Sequence, residues 1–491
     1  MRRAGMLVAV LVAGAALAPA AQAALISQGG VRMGADALWS RGFLGQGQTV
    51  AVVDEGFLGL DRSIALGELP PRDRMTIHVV DPIDPGLDGF TDVGVPTGHG
   101  VRMAELVHDI APEAHLVLVR YRGIDDFPAA AAWVASQGIP IASHSHSFLE
   151  PPYDGTGPAA RAVDAAAAAG VLWVNSSGNF AQRHWRGAAA PGGTVLPLPP
   201  TGGQPLVLSL SWSAPGVTAS VAVERLDPSG AWTEVARGAP YGARGALTGP
   251  VPTDGGSWRV VVRQESGGPA AFDLYSRTIG FGPAAVPAGS VPTPGDAAGS
   301  LTVGAVRWNQ DTLEAYSSYG PTIDGRAKPD LIAPTYVTSN PEWPSAAGTS
   351  AATAHVAGAA AILRQSRIAQ GLPATAADLR GVLLSTALDL GPRGVDPMYG
   401  AGMARLDATA PAVRLRLGTG RTPALRVGAR DAGTIRRIEI RLNRKILLSV
   451  RRPTAGVRLT RLARGRNTLE VTVEDMAGNR TVRTKVVRGR R

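Results

Sequence analysis

The chain has 491 residues, no cysteine and a formal net charge of +10. This length exceeds one ordinary domain, and the lack of cysteine excludes disulfides, thiol catalysis and cysteine-based zinc sites. The positive charge lies in residues 411–491, which hold 22 Lys and Arg against 5 Asp and Glu, a net of +17 that leaves −7 for the remainder.

The first 23 residues, "MRRAGMLVAVLVAGAALAPAAQA", have the pattern of a secretory signal peptide. Arg2 and Arg3 precede an apolar run, and small residues end the stretch. No later segment reaches the roughly 18 uninterrupted apolar residues that a membrane helix needs. We therefore expect an exported mature protein, secreted or associated with the cell surface, with no membrane span.

Residues 24–190 alternate short apolar runs with alanine-rich stretches. "TVAVVD" (49–54), "HLVLVR" (115–120) and "VLWVN" (171–175) are typical of buried strands, and "ARAVDAAAAAG" (160–170) of a helix. This alternation predicts a parallel sheet with helices on both faces, which is an α/β fold.

The sequence pattern changes in residues 191–297, where apolar residues recur with a period of two in runs separated by Gly and Pro. This stretch predicts an inserted β-sandwich followed by a linker. The alternation of strand-like and helix-like stretches returns over 298–410. We therefore predict one discontinuous catalytic domain, formed by residues 24–190 and 298–410. Residues 411–491 again alternate and predict a basic β-sandwich at the C-terminus.

Four polar residues fall where such a fold places functional groups. Asp54 ends a buried strand, His99 opens a helix between glycines, and Asn179 lies in a polar turn after another strand. Ser350 begins an alanine-rich helix that is apolar on nearly all sides, where free amides favour negative charge. Since His355 lies on another face of that helix, the base for Ser350 must come from elsewhere.

Each of these residues also has an ordinary structural interpretation. Ser350 could be a helix N-cap, Asp54 a carboxylate that caps the next turn, and Asn179 a left-handed turn residue. Only their combination favours catalysis.

The combination resembles one family of enzymes. Catalytic residues run Ser, Asp, His in α/β-hydrolases and His, Asp, Ser in the chymotrypsin type, whereas subtilisin-like enzymes run Asp, His, Ser. The blocks "VAVVDEGF", "GHGVRMAELVHDIAP", "VNSSGN" and "GTSAATAHVAG" follow that last order and resemble the signature blocks of the subtilisin-like serine proteases, or subtilases.

The resemblance implies an exported serine endopeptidase that works through an acyl-enzyme. Asp54 would orient His99, His99 would act as general base for Ser350, and Asn179 would donate to the oxyanion. The related carboxyl-type serine peptidases are disfavoured because they have glutamate where His99 stands and aspartate where Asn179 stands.

Several positions depart from the family's pattern. Glu55 replaces the usual small hydroxyl residue and adds a second carboxylate beside the Asp54–His99 pair. The stretch "IASHSHSF" (141–148) occupies the place of the substrate-pairing strand, so Ser145, His146 and Ser147 are predicted to bind substrate. Ser147 stands where glycine is usual and should narrow the first specificity pocket.

Two further interpretations stay open. His144 and His146 form an i, i+2 pair of the kind that can bind zinc, but they have no clear third ligand, so we predict no metal site. Glu55 and Ser147 also leave an alternative function, a catalytically inactive or very slow surface-binding protein that uses the subtilase fold as a scaffold.

Cofactors and partners follow from these readings. The chemistry requires no cofactor; calcium ions could stabilise the fold, but the sequence locates no calcium site. We expect protein or peptide substrates and no nucleic acid. The basic residues 411–491, whose "VEDMAGN" resembles the closing turn of bacterial immunoglobulin-like modules, are expected to meet anionic polymers of the cell envelope.

Overall fold

The structure is a computed structural model that describes residues 27–80, 86, 97–190, 192–338, 340, 342, 345–407, 410–420, 422–431, 434–460 and 462–489. The predicted signal peptide, residues 1–23, lies outside the described residues. Within the described ranges, no helix is both long enough and apolar enough to cross a membrane.

The first part of the chain alternates strands and helices. The helices are α1 (Gln28–Arg32), α2 (Asp36–Trp39), α3 (Leu60–Leu66), α4 (His99–Ile110), α5 (Gly123–Ser136) and α6 (Pro158–Ala168). The strands are β1 (Thr49–Asp54), β2 (Met75–Val79), β3 (His115–Arg120), β4 (Ile141–His144) and β5 (Leu172–Ser176).

The middle part consists mainly of strands. They are β6 (His184–Gly187), β7 (Thr194–Pro197), β8 (Leu208–Trp212), β9 (Thr218–Leu226), β10 (Trp232–Arg237), β11 (Ala239–Pro240), β12 (Gly245–Leu247), β13 (Trp258–Ser266) and β14 (Phe272–Ser276).

The α/β pattern then resumes, and a second group of strands ends the chain. The elements are β15 (Leu301–Arg307), β16 (Leu331–Thr335), α7 (Thr349–Ala369), α8 (Ala376–Thr386), β17 (Ala412–Leu417), β18 (Ala424–Arg430), β19 (Ile435–Leu442), β20 (Lys445–Val450), β21 (Thr454–Arg458), β22 (Gly465–Asp475) and β23 (Arg480–Gly489).

A seven-stranded sheet forms the centre of the molecule, in the order β16-β15-β5-β4-β1-β3-β2. Its strand pairs are all parallel, with Val53 of β1 beside His144 of β4. Val50 and Val52 pack towards α4 and α7, whereas Ala51 and Val53 pack towards α5 and α6. The predicted α/β class, with a large parallel sheet and helices on both faces, is therefore confirmed.

The middle strands form two antiparallel sheets that share one core. Their orders are β10-β9-β13-β7 and β11-β12-β8-β14-β6. This β-structure begins before the predicted boundary at residue 191, because β6 pairs with β14. The buried His184 explains the difference, since its Nε2 lies 2.9 Å from Oδ1 of Asp273 on β14.

The C-terminal strands form a three-stranded sheet, β17-β18-β21, and a four-stranded sheet, β20-β19-β22-β23, again around a shared core. Additional β-sheets are thus present, as the sequence predicted. Their likeness to immunoglobulin-like modules remains a prediction.

The turn between β22 and β23 joins this C-terminal unit to the α/β unit. Met476 and Ala477 pack against the core that includes α4 and α7. The Arg367 guanidinium of α7 donates to the Met476 carbonyl at 2.7 Å, and Asn479 Nδ2 donates to the Asp407 carbonyl at 2.9 Å. The C-terminal unit is therefore held by packing and hydrogen bonds as well as by the chain connection.

Candidate active site

Asp54 ends β1 at the carboxyl edge of the central sheet, where its side chain is almost fully buried. Its Oδ1 accepts from the backbone N–H of Glu55 at 2.9 Å, and its Oδ2 lies 2.7 Å from Nδ1 of His99. Both oxygens therefore have a donor, which offsets the cost of burying a carboxylate.

His99 is the first residue of α4, and the start of this helix is pressed onto the loop after β1. The Gly100 N–H donates to the Gly56 carbonyl at 3.0 Å. A Cβ on Gly100 would lie 2.6 Å from the Phe57 ring and 2.8 Å from that carbonyl, so only glycine permits this approach. This contact sets the His99 ring against Asp54.

The two groups shift each other's pKa. Burial acts to raise the pKa of Asp54, but the charge of His99 and its hydrogen bond hold that pKa below its usual value. Burial acts to lower the pKa of His99, whereas Asp54, with help from Glu55 and against Arg102, holds it above its usual value. The pair favours an ionised Asp54 and a His99 that readily holds a proton.

Ser350 lies in the first turn of α7 and contacts the residue that follows β4. Its hydroxyl donates to the Ser145 carbonyl at 2.9 Å, and the Ser145 hydroxyl donates to the Ser350 carbonyl at 3.2 Å. Because β4 and β1 are adjacent, Ser350 is held beside the strand end that carries Asp54. Among the described residues, its hydroxyl makes no hydrogen bond to His99.

Asn179 is tied to the start of α7. Its Oδ1 accepts from the backbone N–H of Thr349 at 3.0 Å and from the Thr349 hydroxyl at 3.1 Å. This orientation leaves the Asn179 amide nitrogen as a donor next to the first turn of the helix, where the backbone N–H of Ser350 also lacks a partner within the helix.

Glu55 and His146 form a second carboxylate–imidazole pair at the same edge. Glu55 is buried, and its Oε1 lies 3.6 Å from Nε2 of the partly exposed His146. Both residues stand out in the sequence, but their pairing does not. The available signal is that each follows the end of one of two adjacent strands: Glu55 follows Asp54 of β1, and His146 comes two residues after the end of β4.

His144 and His355 belong to the core. His144 Nδ1 contacts Asn175 Oδ1 at 2.7 Å and its Nε2 contacts the Tyr121 hydroxyl at 2.9 Å, while burial lowers its pKa to about 3. Both ring nitrogens of His144 are thus engaged by neighbouring side chains. His355 is fully buried and contacts Ser27 and Ala351.

Ser147 lies three residues beyond the end of β4 and is half-buried. It follows His146, which packs against Phe148 with the ring centroids 5.4 Å apart. Of the three residues predicted to bind substrate, Ser145 contacts Ser350, and His146 and Ser147 follow it in the chain.

One group of acidic residues within the described ranges has the spacing of a metal site. Asp407, Asp431 and Asp475 each offer an oxygen, and these oxygens lie within 4.8 Å of one another. Burial, together with the charges of Asp431 and Asp407, raises the pKa of Asp475 to about 7. The group lies at the junction of the C-terminal and α/β units, and no local motif marks it in the sequence.

A parallel sheet with a carboxylate–imidazole pair and a helix-start serine at one edge has the architecture of an α/β serine hydrolase. A model described as the subtilase family matches residues 207–402, a range that includes Ser350 but not Asp54, His99 or Asn179.

Similar proteins agree with this match. Subtilisin-like protease 2 of Trichophyton equinum is 37% identical over 98 residues, which are 20% of this chain and 22% of that protein. The Trichophyton rubrum protein of the same name is 41% identical over 71 residues, 14% of this chain and 17% of its own length. The CspB protease of Clostridium perfringens shares the fold, with a TM-score of 0.57 at 17% identity over 77% of this chain and 95% of that one.

The chain is similar to the subtilisin-like serine proteases over these matched stretches. It spans less than a quarter of the length of these curated relatives.

The approach of α4 to the loop after β1 gives a testable prediction. In Gly100→Ala, the added methyl should move the start of α4 and separate His99 from Asp54, at a cost of about 1–3 kcal/mol in stability. NMR titration should show a lower pKa for His99, because burial alone lowers it.

Gly381→Ala is the matched control. This glycine lies in α8 with open space around it, so the change should raise the free energy of unfolding by up to about 1 kcal/mol. A His99 pKa that is unchanged in Gly100→Ala would contradict the prediction.

The charge of Glu55 gives a second prediction. Its carboxylate favours the imidazolium form of His99, so Glu55→Gln should lower the pKa of His99. Any activity that requires neutral His99 should then persist to lower pH. NMR titration of the His99 ring measures the shift directly, with Glu113→Gln, a change at a half-exposed carboxylate, as the control. A pKa that rises or does not move would show that Glu55 exerts no field on the pair.

Proposed function

We propose that the chain is an exported serine endopeptidase that hydrolyses peptide bonds with Asp54, His99 and Ser350. The observation that carries the proposal is the 2.7 Å contact between Asp54 and His99 at the strand end next to the one that holds Ser350. The partial match to the subtilase family model supports it, as do the similar proteins, which are named subtilisin-like proteases.

The first half of the reaction forms an acyl-enzyme. With Nδ1–H donated to Asp54, His99 keeps a lone pair on Nε2 and accepts the Ser350 hydroxyl proton, once that hydroxyl turns away from the Ser145 carbonyl. The Ser350 oxygen bonds to the substrate carbonyl carbon, and the carbonyl electron pair moves onto oxygen. His99 then donates its proton to the leaving amine as the carbon–nitrogen bond breaks.

The second half releases the acid. Water gives a proton to His99 and attacks the ester carbonyl, and the Ser350 oxygen takes the proton back as the ester bond breaks. In both halves the oxyanion accepts from the Ser350 backbone N–H and from the Asn179 amide. The raised pKa of His99 supports this role, because the imidazolium intermediate is stabilised by the carboxylates beside it.

Substrate selection is assigned to Ser145, His146 and Ser147. Ser145 exchanges hydrogen bonds with Ser350, and His146 and Ser147 follow it in the chain. A Ser147 side chain at the first pocket would reduce its volume, so small substrate side chains should be preferred there. The similarity to subtilisin-like proteases supports protein or peptide substrates.

Export and surface association complete the proposal. The N-terminal pattern of two arginines, an apolar run and small residues supports export, and the basic residues 411–491 support contact with anionic envelope polymers. The two sheets of that segment support an immunoglobulin-like module.

A second candidate function is a very slow or inactive surface-binding protein. It is favoured by one observation, the hydrogen bond of the Ser350 hydroxyl to Ser145 instead of His99. Catalytic hydrogen bonds are often incomplete without substrate, which favours the peptidase.

Covalent labelling tests the peptidase. A fluorophosphonate probe should label Ser350, since a serine assisted by His99 attacks it quickly, and both labelling and casein hydrolysis should disappear in Ser350→Ala. Labelling should also be lost in His99→Ala and persist in Ser136→Ala, a change at an exposed helix serine. Labelling that survives His99→Ala would contradict the triad, and a wild type with no hydrolysis would favour the surface-binding protein.

Asn179 provides an independent test of the oxyanion role. Asn179→Ala should lower kcat about 10²–10³-fold with little change in KM, as loss of a comparable donor does in a related serine protease. Thr349→Val is the matched control, because it removes the hydroxyl that holds Asn179 but keeps the donor. If the two variants lose activity equally, Asn179 only supports the start of α7.

A further inference from the structure

The outer face of the sheet β17-β18-β21 carries arginine without acid. Along each strand, exposed residues alternate with buried or half-buried ones, so one set of side chains points to solvent. The charged members of this set are Arg414, Arg416, Arg426, Arg430 and Arg458. We refer to this surface as the arginine face.

The register concentrates the charge. Arg416 stands directly opposite Arg426 in the antiparallel pair of β17 and β18. Directly opposed like charges destabilise a sheet, so the pairing is unfavourable until an anion neutralises it. In the described ranges of the chain, none of the arginines of the face forms an ion pair with Asp or Glu.

The second sheet of the same unit shows that this is a local feature. There Glu439 pairs with Arg437 and Arg441, and Glu474 pairs with Arg437 and Arg480. The segment 411–491 contains five acidic residues, and none lies on the arginine face. A high net charge alone would not place all five acidic residues of the segment away from the arginine face.

The arginine face is also grooved. Arg414 stands opposite Gly428, and Arg426 stands opposite Gly456, so backbone forms the floor between the arginines. Two adjoining depressions of about 450 and 480 Å³ share Arg414, Gly428 and Thr454 as lining residues. The exposed Arg452 lines the first of them.

We infer that the arginine face is a binding site for a linear, phosphate-bearing polymer of the cell envelope, held along the groove by guanidinium–phosphate contacts. Arginine presents several donors in a planar fork, which suits phosphate oxygens. Arginines that are paired across strands and spaced two residues apart along a strand can meet successive phosphates. The inference rests on the proposed export and envelope contact but not on peptidase activity.

The composition of the segment argues against nucleic acid. Residues 411–491 contain no Phe, Trp, Tyr or His, so the arginine face offers no ring on which bases can stack. It also carries no Asn or Gln to read base edges. Phosphate is the group that this surface can recognise.

The test uses the full chain and immobilised poly(glycerol phosphate). Wild type should bind at low salt, and Arg414→Gln/Arg416→Gln/Arg426→Gln should bind at least about tenfold more weakly. The slope of log affinity against log salt should become shallower by about 2, from roughly 0.7 for each cation removed.

The matched control removes the same charge elsewhere. Arg466→Gln/Lys485→Gln/Arg488→Gln changes three exposed cations of β22 and β23, and its affinity should fall less than about twofold. Equal losses in the two triple variants would overturn the site in favour of net charge, as would failure of wild type to bind. Equal or tighter binding of a thymidine homopolymer of matched charge would assign the surface to nucleic acid instead.

Discussion

The close packing of α7 against α4 is the constraint on which the catalytic edge depends. α7 is buried along most of its length, and alanine is its most frequent residue. At Gly358, a Cβ would lie 2.7 Å from the Cβ of Ile110 on α4, so the helices meet at a distance that excludes a side chain. Because α4 begins with His99 and α7 places Ser350 in its first turn, the packing that closes the core also fixes the positions of these two residues. The proposed base and nucleophile therefore lie on helices instead of loops.

Two carboxylates from adjacent residues dominate the electrostatics at the carboxyl edge of the central sheet. Asp54 ends β1 and Glu55 follows it, so the two side chains leave the backbone in different directions and each lies near a different imidazole, His99 or His146. Burying two carboxylates together is costly unless positive charge lies nearby. The nearby imidazoles supply that charge when protonated, and Glu55 in turn raises the pKa of His99. The residue that departs from the family's pattern thus adds to the field that favours the imidazolium.

Much of the sheet and the placement of the polar residues could be predicted from the sequence, because both follow local rules. The run "TVAVVD" indicated a buried strand ending at Asp54, and β1 has those bounds. Contacts between distant segments could not be predicted in this way. The Ser350 hydroxyl donates to Ser145, which is 205 residues away in the chain. The early start of the inserted β-structure depends on the distant pair His184 and Asp273, for which no short pattern exists.

The C-terminal unit is a second case in which contacts between distant segments could not be predicted from the sequence. Here those contacts affect how the proposed binding face is oriented. The sequence predicts a basic β-sandwich at the C-terminus but does not show that Met476 and Ala477 are part of the packing around α4 and α7. The orientation of the arginine face relative to the catalytic edge is therefore set by the core and not by a flexible connection. A polymer bound on that face would hold both units in a fixed orientation, so binding would not have to order one unit relative to the other. If the proposed peptidase activity holds, polypeptides on the same surface would meet the catalytic edge at a raised effective concentration.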